Sequence, residues 1–275
     1  MMTKSETPNA IGLTIILSFF FFTISFAQGD MFKMHLVHQV QTMNSIKPTK
    51  IVYSDTLKAD IYIPIMKVAT KEFPCVIFVS GFAGINFRFI QVYNDWAKLM
   101  AANGIIGVVY ETNSPSVDFD KLMEYLTTNS KALHLDKNRI GVWSSSGNSL
   151  LALNKVNASS QFKCHSIYYG LTTTNNSQYL NEVKEMSNKN GFAFFVEDEY
   201  MSKVPTLIIR AGKDSWTIIL NSIDEFVRLL LTRNIPFELV NYPEGQHAFD
   251  ILDNTENSKR IIIMTVEFFK RELNR

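Results

Sequence analysis

The strongest constraint on this chain is a regular alternation between short apolar runs and longer segments of helical period. The runs are Ile51–Tyr53, Ala59–Ile63, Cys75–Ser80, Ile105–Tyr110, Arg139–Trp143, Ser166–Tyr169, Thr206–Arg210 and Glu238–Tyr242. From Cys75 onward most are continuously apolar, as strands buried on both faces of a parallel sheet are. Ala59-Asp60-Ile61-Tyr62-Ile63 partly alternates, as an antiparallel edge strand does. Between the runs lie helical stretches at Gln91–Asn103, with Trp96, Leu99 and Met100 on one face, and at Phe119–Thr128, Ser149–Val156, Ile223–Arg233 and Lys259–Arg271. Strands alternating with helices predict an α/β fold: a mostly parallel eight-stranded sheet, helices on both faces, begun by an antiparallel hairpin. Ligands in such folds sit at the carboxyl ends of the strands, so the loops that follow them are where chemistry belongs.

One connection breaks the rhythm. Leu171 to Lys203 is 33 residues between two strands, longer than an ordinary loop, and reads as a small cap insertion with a helix near Gln178–Met186. Neither an internal repeat nor an interdomain linker interrupts the rest, which predicts a single domain over residues 28–275.

The leading segment is of another kind. Ile11 to Ala27 is 17 uncharged residues, 12 of them apolar and five of those Phe. A membrane span needs about 20 apolar residues, whereas this run ends in Ser25-Phe26-Ala27, with small residues at the positions a signal peptidase reads. Residues 1–27 are therefore expected to be a signal peptide cut ahead of Gln28, leaving 248 residues exported to a periplasmic or extracellular space. The alternative is an uncleaved N-terminal membrane anchor. Without the segment, 16 of the 21 Phe remain, an ordinary load for an α/β core.

Charge and ligand chemistry narrow the function. Lys and Arg number 27 against 26 Asp and Glu, for a net charge of +1, which lacks the basic field of a nucleic-acid binder. Cys75 and Cys164 each open an apolar run and are expected to be buried free thiols. His35, His38, His134, His165 and His247 show no metal-ligand spacing, and neither nucleotide-binding glycine signature occurs. No metal or organic cofactor is expected.

The segment Arg139-Ile140-Gly141-Val142-Trp143-Ser144-Ser145-Ser146-Gly147-Asn148-Ser149 runs from strand through a tight turn into a helix. That is the setting of a nucleophile elbow, a strained turn that projects a Ser hydroxyl and requires small residues two before and two after it. With Ser145 as nucleophile Trp143 falls two before, and with Ser144 it is Val142; only Ser146 has a small residue, Ser144, there. Asn148 then occupies the later position, usually glycine. Downstream, Pro205 to Ala211 is a strand running through Gly212-Lys213 to Asp214, and Asn241-Tyr242 leads into a Pro/Gly loop presenting His247. Ser146, Asp214 and His247 thus follow predicted strands in the chain order of the α/β-hydrolase triad.

On these residues the chain resembles the α/β-hydrolase superfamily, and within it the dienelactone-hydrolase-like branch. The resemblance spans roughly Ile51 to Leu273 and is strongest over Ile140 to Asn148, Pro205 to Asp214, Asn221 to Phe226, and Gln246-His247-Ala248-Phe249-Asp250. It implies Ser146 as nucleophile, His247 as general base and acid, and Asp214 as the group that orients His247. It also implies an oxyanion hole made by the backbone N–H groups of Phe82 and Gly147, the former in Val79-Ser80-Gly81-Phe82, where many relatives carry His in place of Ser80. Dienelactone hydrolases proper use Cys where this chain has Ser146.

The expected function is an exported serine hydrolase that cleaves a small-molecule carboxylic ester or thioester through an acyl-enzyme. Peptidase or acyltransferase activity from the same triad, and a catalytically inactive binding protein of the same fold, are the alternatives. Trp216, with Phe82, Phe87, Phe192, Phe194 and Phe195, is positioned to line a substrate site.

Overall fold

The computed structural model describes residues 33–65, 72–190 and 199–275. The apolar segment Ile11–Ala27 and the expected cut ahead of Gln28 lie outside the described residues, as do Phe192, Phe194 and Phe195.

Each predicted run becomes a strand: β1 (Pro48–Ser54), β2 (Leu57–Tyr62), β3 (Phe73–Phe78), β4 (Ile106–Tyr110), β5 (Leu135–Ser145), β6 (Phe162–Tyr168), β7 (Thr206–Ala211) and β8 (Phe237–Tyr242). They form one sheet in the order β1-β2-β4-β3-β5-β6-β7-β8. The β1–β2 and β2–β4 pairs are antiparallel and the rest parallel. The helices are α1 (Gln91–Ala102), α2 (Pro115–Thr128), α3 (Asn148–Ala158), α4 (Leu180–Asn190), α5 (Thr217–Thr232), α6 (Phe249–Leu252) and α7 (Glu256–Leu273).

Alternation along the buried strands sorts the core into two layers. Val76 and Phe78 of β3, Trp143 of β5, Cys164 and Tyr168 of β6 and Leu207 and Ile209 of β7 pack with α1 and α7, around Trp96, Phe268 and Phe269. The other face sends Ile77, Val108 and Val142 against α2 and α3, and Ile167 and Ile208 against α3 and α5. Both cysteines are buried and free. The run ahead of β1 straps Leu36, Met43 and Ile46 onto the α1 layer, tied by Leu36 N–H to Asp95 at 3.2 Å and by Val37 N–H to the Asp250 carbonyl at 2.9 Å.

Three local expectations need correction. The edge strand is β1, while β2 lies inside the sheet between β1 and β4. The polar residue that made β2 appear to alternate, Asp60, is 6% exposed and accepts from Arg88 Nη1 at 3.2 Å, so the alternation marked a buried ion pair and not a wet face. Strand β5 begins at Leu135, four residues before the apolar run, where its charged start pairs Leu135 with Phe73. The cap helix starts at Leu180, because Gln178 N–H donates to Glu225 Oε1 at 3.1 Å and Ser177 Oγ to the same carboxylate, which commits those residues to a turn.

Candidate active site

Ser146 follows the last residue of β5 and takes φ +50, a left-handed conformation that costs a non-glycine residue on the order of 1–2 kcal/mol. Its backbone is fully engaged there: N–H donates to the Tyr168 carbonyl at 3.0 Å, and its carbonyl accepts from Ser149 N–H at 3.2 Å and Leu171 N–H at 3.0 Å. The elbow is thus clamped by the chain leaving β6. The three serines separate by partner. Ser144 Oγ lies 2.8 Å from His165 Nε2 and donates to Ser149 Oγ at 3.2 Å. Ser145 Oγ lies 3.2 Å from the Tyr93 hydroxyl. Both are buried, whereas Ser146 is partly exposed and its hydroxyl makes no hydrogen bond among the described residues.

Asp214 and His247 are brought together by two interlaced loops after β7 and β8. Gly212 N–H donates to the Tyr242 carbonyl at 2.7 Å and Lys213 N–H to the Gly245 carbonyl at 2.8 Å. A Cβ on Gly212 would stand 2.7 Å from Pro243 Cα, so only glycine permits this approach. The result is an Asp214 Oδ2 to His247 Nδ1 contact of 2.7 Å, with the Asp214 side chain fully buried and that of His247 22% exposed. Trp216 N–H donates to the other carboxylate oxygen at 3.0 Å. With Nδ1 taken by Asp214, Nε2 is the nitrogen left to exchange a proton.

The structure joins Asp214 to His247 directly. It does not join His247 to the Ser146 hydroxyl by a hydrogen bond; the two residues flank Tyr168-Tyr169-Gly170-Leu171. That segment grips the Ser146 backbone, and its Tyr169 ring lies 4.6 Å from the His247 ring. Trp216 also packs on His247, with ring centroids 4.5 Å apart.

Phe82 forms a lone β-bridge in the loop after β3, and its ring lies over Gly147, where a Cβ would come within 2.6 Å of Phe82 Cζ. The loop is fixed from behind by Arg88, in the short helical turn Phe87–Phe89, whose guanidinium spans Glu111 at 2.8 Å and Asp60 at 3.2 Å. Phe82 and Gly147 are thereby neighbours beside Ser146.

Three residues that the sequence did not assign complete the surroundings. Tyr169 donates its hydroxyl to Asp250 Oδ1 at 2.6 Å, and Trp96 Nε1 donates to Asp250 Oδ2 at 2.9 Å. Burial raises the Asp250 carboxyl above its ordinary range, offset by these two donors, and raises the Tyr169 phenol as well. Asp250 ends the segment Gln246 to Asp250 that carries the family resemblance, which was the available signal; nothing local marked Tyr169, and Trp96 read only as part of a helix face. A groove of about 450 Å³ between α2 and α3 holds none of these residues. It is lined by Phe162 and Gln161, at the amino end of β6 and so away from the elbow.

No protein-family profile matches the chain, and no curated protein matches it in sequence. Solved structures do. An α/β hydrolase enzyme, MGS-M1, from a Medee basin deep-sea metagenome library superposes with a TM-score of 0.63 at 16% identity, over 84% of this chain and 99% of that one. Esterase 2 of the planctomycete Thermogutta terrifontis, a thermophilic esterase, superposes with a TM-score of 0.63 at 15% identity, over 81% of this chain and 91% of that one. The same esterase with propionate bound gives 0.63 at 15% identity, over 82% and 94%. With the strand order and the crossovers, these likenesses establish that the chain has the α/β-hydrolase fold.

Proposed function

We propose that this protein is an exported serine hydrolase of small-molecule carboxylic esters or thioesters, of the dienelactone-hydrolase-like kind with Ser146 in place of Cys. The observation that carries this reading is the 2.7 Å Asp214–His247 contact, packed through Tyr169 on the segment that clamps Ser146 at φ +50. Export rests on the apolar segment Ile11–Ala27, with residues 28–275 forming one hydrolase domain.

Chemistry follows from these positions. Ser146 Oγ attacks the acyl carbon while its proton passes to His247 Nε2, because a neutral hydroxyl is a weak nucleophile without a base. Asp214 holds the imidazole through Nδ1 and stabilises its positive charge. The carbonyl oxygen, now negative, is met by the N–H groups of Phe82 and Gly147, each such donor being worth about 10²–10³ in rate. Collapse breaks the acyl–oxygen or acyl–sulfur bond, with the His247 proton passing to the leaving group. Water then attacks the acyl-enzyme and gives its proton to His247, which passes it to Ser146 Oγ as the acyl–Oγ bond breaks and the acid departs.

A fluorophosphonate probe, followed by a panel of p-nitrophenyl esters beside peptide amides on protein lacking residues 1–27, tests the reading. Labelling and ester turnover that both vanish in Ser146→Ala support it. Equal labelling of that variant refutes the assignment of the nucleophile, and turnover of amides alone would make the enzyme a peptidase. T. terrifontis esterase 2 has been seen with propionate and with butyrate bound, so short acyl chains head the panel. N-terminal sequencing of exported protein should begin near Gln28; intact Met1 in the membrane fraction would refute cleavage.

A further inference from the structure

Asn148, the first residue of α3, occupies the elbow position where a glycine is usual, and it is 2% exposed. Its carboxamide does not cap its own helix. Oδ1 accepts from the Gly81 N–H at 2.6 Å across 67 residues of sequence, and Nδ2 donates to the Tyr93 hydroxyl at 2.7 Å. A backbone N–H can only donate, so the atom facing Gly81 must be the oxygen, and the amide orientation is fixed. Tyr93 then accepts from Asn148 and has its own hydrogen for Ser145 Oγ, 3.2 Å away. The approach is close: a Cβ on Gly81 would lie 3.1 Å from both Asn148 Cα and Oδ1. Gly81 immediately precedes Phe82. A glycine at position 148 would leave the Gly81 N–H buried without this acceptor.

We propose that Asn148 is a positioning residue for the oxyanion hole, its carboxamide fastening the Gly81–Phe82 peptide to the start of α3 while Tyr93 holds the carboxamide. The inference rests on the reading of Ser146 as nucleophile and Phe82 and Gly147 as oxyanion donors. A donor displaced by a fraction of an ångström weakens the transition state, where charge develops on the oxygen, far more than the bound substrate. The loss therefore falls on kcat per active site and leaves KM in place; loss of folded protein would lower apparent kcat in the same way, so turnover is counted per titrated site and the rescue by Asn148→Asp carries the distinction.

The test uses p-nitrophenyl butyrate turnover, normalised to sites titrated with a fluorophosphonate so that only folded enzyme counts. Asn148→Ala should lower kcat about 10- to 100-fold with KM within twofold. Asn148→Asp, which keeps an oxygen for the Gly81 N–H, should recover at least half of that loss on a logarithmic scale. Tyr93→Phe should lower kcat severalfold, and Asn148→Ala with Tyr93→Phe should be no slower than Asn148→Ala alone, since Tyr93 acts through Asn148. Wild-type kcat in Asn148→Ala, or additive losses in the double variant, would overturn the proposal. If Asn148→Ala does not fold, Tyr93→Phe decides: unchanged kcat overturns it. Ser146→Ala is the separate control, and turnover retained there refutes the nucleophile reading and not the geometry of Asn148.

Discussion

The Tyr169 ring lies 4.6 Å from the His247 ring and is anchored at its far end by a 2.6 Å hydrogen bond to the buried carboxylate of Asp250. Asp250 is three residues beyond His247, so the loop that presents His247 also supplies the anchor for the ring beside it. Removing the hydroxyl in Tyr169→Phe leaves Asp250 with Trp96 as its remaining side-chain donor, at a cost of about 1–3 kcal/mol in stability. Asp250→Ala, which orphans both donors, is expected to cost more. Urea unfolding measures both. Ester turnover by Tyr169→Phe should fall less than tenfold, because the ring and its packing on His247 remain.

Ser146 carries the strain of the elbow whether or not the protein is turning over. Ser146→Ala and Ser146→Gly should both abolish turnover, but only glycine accepts φ +50 without crowding. Ser146→Gly is therefore expected to be more stable than Ser146→Ala by about 1 kcal/mol, a rise in the thermal midpoint of roughly 2–4 °C. Equal midpoints would mean that the clamp formed by Tyr168 and Leu171, and not the side chain, sets the elbow.

The fold was legible because its signals are local. Continuous apolar runs such as Cys75–Ser80 can only be buried strands when helices alternate with them, and all eight predicted runs pair in the sheet. The Asp214–His247 pairing was legible for a related reason: each residue follows a strand, and strand ends converge in a parallel sheet. What escaped are features set by distant partners. Asp60 reads as a solvent-facing residue until Arg88 is seen beside it. Asn148 reads as a flaw in the elbow until Gly81 and Tyr93 are placed against its two amide atoms. Tyr169 has no motif of its own; its importance comes from Asp250, 81 residues later.

Asp214 should be separable from the chemistry it supports. In Asp214→Asn the side chain still fits between Trp216 N–H and His247 Nδ1, but it no longer supplies a negative charge and favours the wrong imidazole tautomer. Turnover is expected to fall by about 10³-fold or more with KM little changed. Stopped-flow acylation should show the loss already in the first turnover, while a loss confined to later turnovers would place Asp214 in deacylation alone.

His165 gives the folded state a pH dependence separate from the chemistry of His247. Its ring is wholly buried in β6, with Nε2 at 2.8 Å from Ser144 Oγ and Nδ1 without a hydrogen-bond partner among the described residues. Burial lowers its pKa to about 3, from an ordinary 6.5. Between those values the unfolded chain takes up a proton that the folded chain refuses, so stability is full above about pH 6.5 and declines toward pH 3. This one side chain accounts for a slope approaching 1.4 kcal/mol per pH unit within that window. His165→Gln, which keeps a polar group for Ser144 but cannot titrate, is expected to be less stable at pH 7.5 yet flatter between pH 6 and pH 4. Urea midpoints at four pH values measure this, and parallel profiles for the two proteins would show that other groups drive acid unfolding.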